Sequence, residues 1–361
     1  TEGDVWVAGE GRIARLVAGS WEEVEPPGTA GAEWLTGIAV VGSDLVAATD
    51  LGLYRGGPGG WEPVVREPTP WLGVSDFRRL LVAVSADEAW TADQLGVWHY
   101  TDGSWTGPER PPDLEADARI RELAVSPAGD GLAIATDQGV AVRGDDGWSW
   151  GWTGRVNAVD YAPDGSIWAA VSPSNVSSSN LVHLTDVDGR LVATTFDCPA
   201  GGWLVAAAID GTAYTGGIAY VGAAGLARSD GSTCTKVPGY GPIEVMALEA
   251  DPTGGVVAVI LEGRISSWWR SIVRFDGEIG STLRPGEPAD VGNSASVEVD
   301  GLGRVWLSDV LADPVIQRFE AGMWRVVTDL DAGTQLSVAP DGTLWLVGSS
   351  GIERIRADQL R

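Results

Sequence analysis

The chain has 361 residues, 44% of them apolar, with 50 Gly, 20 Pro and 18 Trp. Its 50 acidic residues against 24 basic ones give a net charge of −26, which repels phosphate backbones and anionic lipid headgroups and argues against nucleic-acid and membrane-surface binding. Abundant Gly among short apolar runs points to an all-β protein rich in turns, and no signal peptide or membrane-length apolar run is present.

One strand marker recurs along the chain. It reads D-V-W-V-A (4–8), D-L-V-A-A (44–48), E-A-W-T-A (88–92), G-L-A-I-A (131–135) and S-I-W-A-A (166–170). It continues as T-A-Y-T-G (212–216), V-V-A-V-I (256–260), R-V-W-L-S (304–308) and T-L-W-L-V (343–347). Successive starts lie about 40 residues apart, and self-similarity at that period is the mark of a repeat fold. A second marker, a turn followed by Trp, runs in phase at Trp21, Trp61, Trp105, Trp148 and Trp324. With the runs between the markers, each period holds four short strands, here called A, B, C and D. The first period begins at strand B and the last ends at strand C.

Four-stranded antiparallel units of this length, repeated many times, predict a β-propeller. The expectation is one propeller domain over 1–361, with repeats starting near 1, 34, 77, 119, 155, 203, 243, 293 and 333. The strand count falls between eight and nine blades, and nine is the closer reading. The Trp residues of strands B and D are expected to fill the wedge between blades.

Pro163-Asp164-Gly165-Ser166-Ile167-Trp168 and Pro340-Asp341-Gly342-Thr343-Leu344-Trp345, the latter followed by Gly351-Ile352, resemble the propeller repeats in sensor regions of bacterial two-component regulators. The turn-then-Trp strand is also similar to tectonin-type lectin repeats, and Ser229 to Cys234 is a weaker match to the Asp-box of sialidase-like propellers, with Cys where that family has Trp. The first resemblance implies an extracytoplasmic sensing or binding module, usually within a larger signalling protein. It transfers no functional residues, because the matching positions are turns and core.

Function is expected where the repeat breaks. The B-to-C turns are short in the early repeats, as in T-D-L-G (49–52) and T-D-Q-G (136–139), and lengthen at 172–180, 216–225, 261–270 and 309–314. The D-to-A connections at 66–76 and 107–118 are long as well. Both kinds leave one face of a propeller, and loops on a rigid scaffold are where binding residues concentrate. Trp268, Trp269 and Arg270, with the off-register Trp71, suit sugar stacking or a protein hot spot, or else cap the core beneath their own loops. Asn175, also a glycosylation acceptor by pattern, and Tyr240 complete the candidate set.

Catalytic motifs are absent: no nucleophile elbow, zinc-protease helix or phosphate loop occurs. His99 and His183 read as structural, and Asp186-Val187-Asp188-Gly189 and Asp329-Leu330-Asp331 as hairpin turns rather than calcium loops. No metal or cofactor is expected. Cys198 and Cys234 fall in or beside outer strands of neighbouring repeats and are read as a bridge, with two buried free thiols as the alternative. The leading expectation is a non-catalytic module for a protein, peptide or glycan ligand. The alternatives are a lectin, or a secreted hydrolase or lyase with carboxylates at the central channel.

Overall fold

The hairpin at Asp164 shows how the local sequence builds this protein. In the computed structural model, Asp164 Oδ1 accepts hydrogen bonds from Ser166 N at 3.0 Å and Ser166 Oγ at 2.6 Å. Gly165, at φ +83°, takes the left-handed position that side-chain-bearing residues avoid. The turn reverses the chain from an inner strand into Ile167-Trp168-Ala169-Ala170-Val171, whose five residues are all buried. Such a strand is covered on both faces, which is why it reads as a continuous apolar run rather than an alternating one.

The structure describes residues 5–9, 12–17, 20–24, 35–41, 44–49, 52–57, 60–63, 80–93, 95–115, 118–171, 179–199, 202–217, 225–238, 243–264, 267–277, 279–289, 295–309, 315–329, 335–348 and 351–360. It divides into two compact units, Thr1–Gly73 and Val74–Arg361.

The first unit holds two sheets. One has three strands, β1 (Val5–Gly9), β2 (Arg12–Val17) and β3 (Ser20–Val24). The other has four, β4 (Leu35–Val41), β5 (Asp44–Thr49), β6 (Gly52–Gly57) and β7 (Gly60–Pro63), and β1 packs against β4.

Among the described residues the second unit holds seven sheets, taken in chain order as blades one to seven. Blade one is β8 (Leu81–Ser85), β9 (Glu88–Ala92), β10 (Val97–Thr101) and β11 (Ser104–Glu109). Blade two is β12 (Ile120–Val125), β13 (Leu132–Thr136), β14 (Gly139–Gly144) and β15 (Gly147–Thr153). Blade three is β16 (Val156–Tyr161), β17 (Ile167–Val171), β18 (Ser179–Val187) and β19 (Arg190–Cys198). Blade four is β20 (Leu204–Ala207), β21 (Ala213–Gly217), β22 (Gly225–Ser229) and β23 (Cys234–Lys236). Blade five is β24 (Ile243–Ala250), β25 (Val256–Arg264), β26 (Ser267–Asp276) and β27 (Ile279–Ala289). Blade six is β28 (Ala295–Val299), β29 (Val305–Asp309), β30 (Val315–Glu320) and β31 (Met323–Asp329). Blade seven has three strands, β32 (Gln335–Val338), β33 (Leu344–Gly348) and β34 (Gly351–Ile355), followed by a short 3-10 turn at Ala357–Gln359. All pairings are between chain neighbours and antiparallel, so each sheet is a meander.

The inner strands pack on one another in sequence, and β32 returns to β8. Ala83 N donates to Ser337 Oγ at 3.0 Å, and Trp345 Nε1 donates to Ser85 O at 3.0 Å. The protein is therefore all-β with a propeller of seven four-stranded-type blades, which corrects the expected eight or nine. The physical reason is that repeat number counts strands, whereas the ring closes where one inner strand finds another. Here β32 meets the third repeat, not the first. The buried cores lie between adjacent blades, and Trp168 and Trp306 of B strands sit in two of them.

Candidate functional site

An aromatic on strand B and a cation on strand C face each other in five blades of the ring. The pairs are Trp90 with His99, Trp168 with His183, Tyr214 with Arg228, Trp306 with Arg318, and Trp345 with Arg354. Both imidazoles stack flat, with centroids 3.8 Å and 3.9 Å from their indoles. The guanidinium carbons sit 5.3–6.0 Å from the ring centres, within cation–π range. Each cation also meets an acidic or hydroxyl group of a hairpin. His99 Nε2 is 2.9 Å from Glu88 Oε1, His183 Nε2 is 2.8 Å from Ser166 Oγ, and Arg228 is 3.5 Å from Asp210. Both histidines of the chain are thus held within the sheets.

The antiparallel meander places the A-to-B and C-to-D hairpins at one end of the strands and the B-to-C and D-to-A connections at the other. At the first end, blade is tied to blade. Tyr214 Oη donates to Gly277 O at 3.1 Å, Arg274 Nη2 to Gly303 O at 2.8 Å, and Gly301 N to Pro340 O at 3.2 Å. A Cβ on Gly301 would lie 2.7 Å from Pro340 O, so only glycine allows that approach. Arg354 Nη1 donates to Ala86 O at 2.8 Å and to Asp87 Oδ1 at 2.7 Å. These contacts explain the A-to-B turns as scaffold.

The opposite end is described best at blades one to three, and a cluster of arginines lies there. β12 and β16 each bulge at their start, at Arg121 and Asn157. Both residues are buried. Arg121 donates from Nε to Asp137 Oδ1 at 2.5 Å, and its Nη2 meets the same oxygen. Arg119 N reaches Asp137 Oδ2 at 3.3 Å. Arg155, half-exposed, comes from the start of the next blade and holds Nε 3.9 Å from Asp137 Oδ1. Asn157 Nδ2 donates to Gly202 O at 2.7 Å, linking blade three to blade four. In blade one, Asp93 takes the position of Asp137: its Oδ1 accepts from Leu95 N and Gly96 N, and its Oδ2 from Trp98 Nε1 at 2.9 Å. Burial draws the Arg110 guanidinium below its usual range, against the pull of Asp93. Arg110 also braces the 110–119 connection by donating to Glu115 O at 2.8 Å. Chemically, Arg155 presents a planar fork of donors beside the buried Arg121–Asp137 pair. That suits recognition of a carboxylate or another oxyanion.

Of the sequence candidates, Trp71, Asn175 and Tyr240 lie outside the described residues. Trp268 and Trp269 belong to β26 and pair in register with Gly263 and Glu262 of β25, so the stretch 261–270 is mostly an extended hairpin and not a loop. Arg270, in the same strand, is buried at 7% exposure. Cys198 and Cys234 form a disulfide, with Sγ atoms 2.09 Å apart, between the outer strands of blades three and four. Asp186 Oδ1 accepts from Gly189 N at 2.8 Å across the β18–β19 turn. Sequence reasoning missed Arg121, Arg155 and Asp137. The signal was R-I-R at 119–121 ahead of the short T-D-Q-G turn at 136–139.

No family model matches the chain, and no curated protein matches it. Among solved structures, the β-propeller domain of Cps50 (Swd1) from Myceliophteria thermophila is 17% identical at a TM-score of 0.51, covering 76% of this chain and 96% of that one. A catalytically inactive virginiamycin B lyase from Staphylococcus aureus with quinupristin is 14% identical at a TM-score of 0.49, covering 75% and 92%. An extracellular domain assigned to a hybrid two component system of B. thetaiotaomicron is 12% identical at a TM-score of 0.37, and the match spans 99% of this chain but 58% of that one. No helix among the described residues is long and apolar enough to cross a membrane. At 17% identity the likeness to the Cps50 domain is one of fold, and the fold is the β-propeller.

Proposed function

We propose that the chain is a non-catalytic binding or sensing propeller that takes its ligand at the B-to-C and D-to-A end of the ring. The observation that carries this is the contrast between the two ends. Hairpins tie blade to blade at one, while the other, besides the Asn157–Gly202 link, holds Arg155 half-exposed beside the buried Arg121–Asp137 pair. The ligand class is a protein, peptide or small molecule, glycans included, that carries an anionic group. The two histidines, stacked and hydrogen-bonded within their blades, support a non-catalytic reading. The Cys198–Cys234 bridge supports an extracytoplasmic setting, because disulfides persist in oxidising compartments. Membership of a larger signalling protein rests on the repeat resemblance alone.

The test is a screen of the purified chain on glycan and acidic-peptide arrays, with each hit then titrated against Arg155→Ala. A loss of at least tenfold in affinity, at unchanged melting temperature, is expected. Equal binding by the variant would sink the proposed face. Turnover of a glycoside or lactone would replace the reading with the hydrolase or lyase alternative.

A further inference from the structure

Two outer-strand tryptophans bond to the preceding blade, and among the described residues a third, in the same position, does not. Trp148 of β15 donates from Nε1 to Glu109 Oε1 of β11 at 2.7 Å. Trp324 of β31 donates from Nε1 to Leu283 O of β27 at 3.3 Å. In both cases the Trp of an outer strand bonds the outer strand of the preceding blade. Trp105 of β11 is the equivalent residue, since it pairs with Tyr100 as Trp148 pairs with Arg143 and Trp324 with Phe319. Its preceding blade is the seventh, which has only three strands among the described residues. Trp105 makes ring contacts with Tyr100 and Trp345, and its indole N–H has no hydrogen-bond partner among the described residues.

We propose that the edge of β34, which pairs with no further strand among the described residues, is a docking site between blades six and one for an acidic extended peptide of a partner protein, added as a fourth strand. Strand addition satisfies the edge N–H and C=O groups through main-chain bonds. The two walls already exist. Arg354 and Trp345 face Tyr100 and Trp105 of blade one, while Ile355 and Val327 share a core with blade six.

The charge pattern sets the chemistry. Arg354 Nη1 and Arg356 Nη2 both donate to Asp87 Oδ1, at 2.7 Å and 2.9 Å, so two cations share one carboxylate oxygen. At the next junction Glu109 accepts from both Trp148 and Arg143. A carboxylate on the added strand would do the same for Trp105 and the arginine pair.

A second copy fits less well. Two-fold antiparallel pairing sets one residue opposite itself, and centring on Glu353 or Arg354 opposes like charges. Every described strand of this chain already belongs to a sheet.

The test uses a fluorescein-labelled peptide alternating Val and Glu, read by anisotropy, with amide exchange followed at Gly351–Ile355. Saturable binding and slowed exchange there are expected. The same peptide N-methylated at alternate residues should not bind, a Val–Lys peptide should bind at least tenfold more weakly, and Trp105→Phe should cost roughly threefold to tenfold. Absence of saturable binding, or equal binding by all three peptides, overturns the proposal. So does slow exchange, in the peptide-free monomer, of those Gly351–Ile355 amides that point away from β33, which would mean that the chain's own residues cover the edge. Light scattering that finds a dimer with those amides protected would assign the edge to a second copy and overturn it as well.

Discussion

His183 lies flat on Trp168, with ring centroids 3.9 Å apart and planes 7° from parallel. Ser166 Oγ donates to Asp164 Oδ1 at 2.6 Å, so it accepts the proton of His183 Nε2, 2.8 Å away. The direction is opposite to that of a nucleophilic serine, which donates to its histidine. The trio of Asp, Ser and His is therefore a clamp between strands B and C and the hairpin.

Burial holds the His183 imidazole below its usual range, with Asp164 pulling the other way. The folded state then binds fewer protons here than the unfolded chain. Its stability contribution is complete above the ordinary histidine value of about 6.5 and falls as the pH drops below it. Melting temperatures recorded from pH 7.5 to 5 should decline more steeply for the natural chain than for His183→Gln. Identical slopes would refute the assignment.

Asp300 is 1% exposed and accepts four bonds, from Leu302 N, Arg304 N, Arg304 Nε and Trp306 Nε1. Asp300→Ala leaves a guanidinium and a buried indole N–H without their partner. A loss of about 3–5 kcal/mol is expected in urea unfolding, with Asp300→Asn intermediate. A loss below about 1 kcal/mol would show that the hairpin reorganises without cost.

The bridge closes a loop with a sequence separation of 36. Chain-entropy arguments assign such a closure about 3–4 kcal/mol. Cys198→Ser with Cys234→Ser should lower the melting temperature by on the order of 5–10 °C. Adding a reductant should shift the natural chain by the same amount and leave the double variant unmoved.

Ser337 is buried, and its hydroxyl accepts from Ala83 N across the closing junction. Asp160 holds the equivalent place in blade three and accepts from Ala207 N at 2.8 Å. Ser337→Ala should cost about 1–3 kcal/mol by leaving a buried amide unpaired. Exchange of the Ala83 amide should quicken more than that of amides in blades three and four. Uniform quickening would mean that the closing junction is not a local weak point.

The strands and turns were legible because the physics that makes them is local. Asp164-Gly165 and Asp341-Gly342 specify hairpins from four residues, and Trp168 or Trp345 marks a buried strand by its neighbours. Ring closure was not legible. It depends on Ser337 meeting Ala83, 254 positions away, and nothing in a repeat says which other repeat it will meet. The candidate site was half legible. The choice of face followed from loop length, but Arg121 sits in the first residues of β12 and Arg155 in a short connection, and both looked ordinary. Their significance is that Asp137 gathers them. The Trp268-Trp269 pair stood out for its composition, yet it continues a hairpin that is simply longer than its neighbours.

The disulfide and the closing junction together give the ring an asymmetry under load. Between blades three and four the rim is welded by a covalent bond. Between blades seven and one it is held by single hydrogen bonds and by arginines on an exposed Asp87. Under heat or tension this clasp is expected to part before the bridged junction between blades three and four. Opening would then be a hinge-like event confined to one seam, and whatever grips both sides of that seam controls whether the ring can breathe.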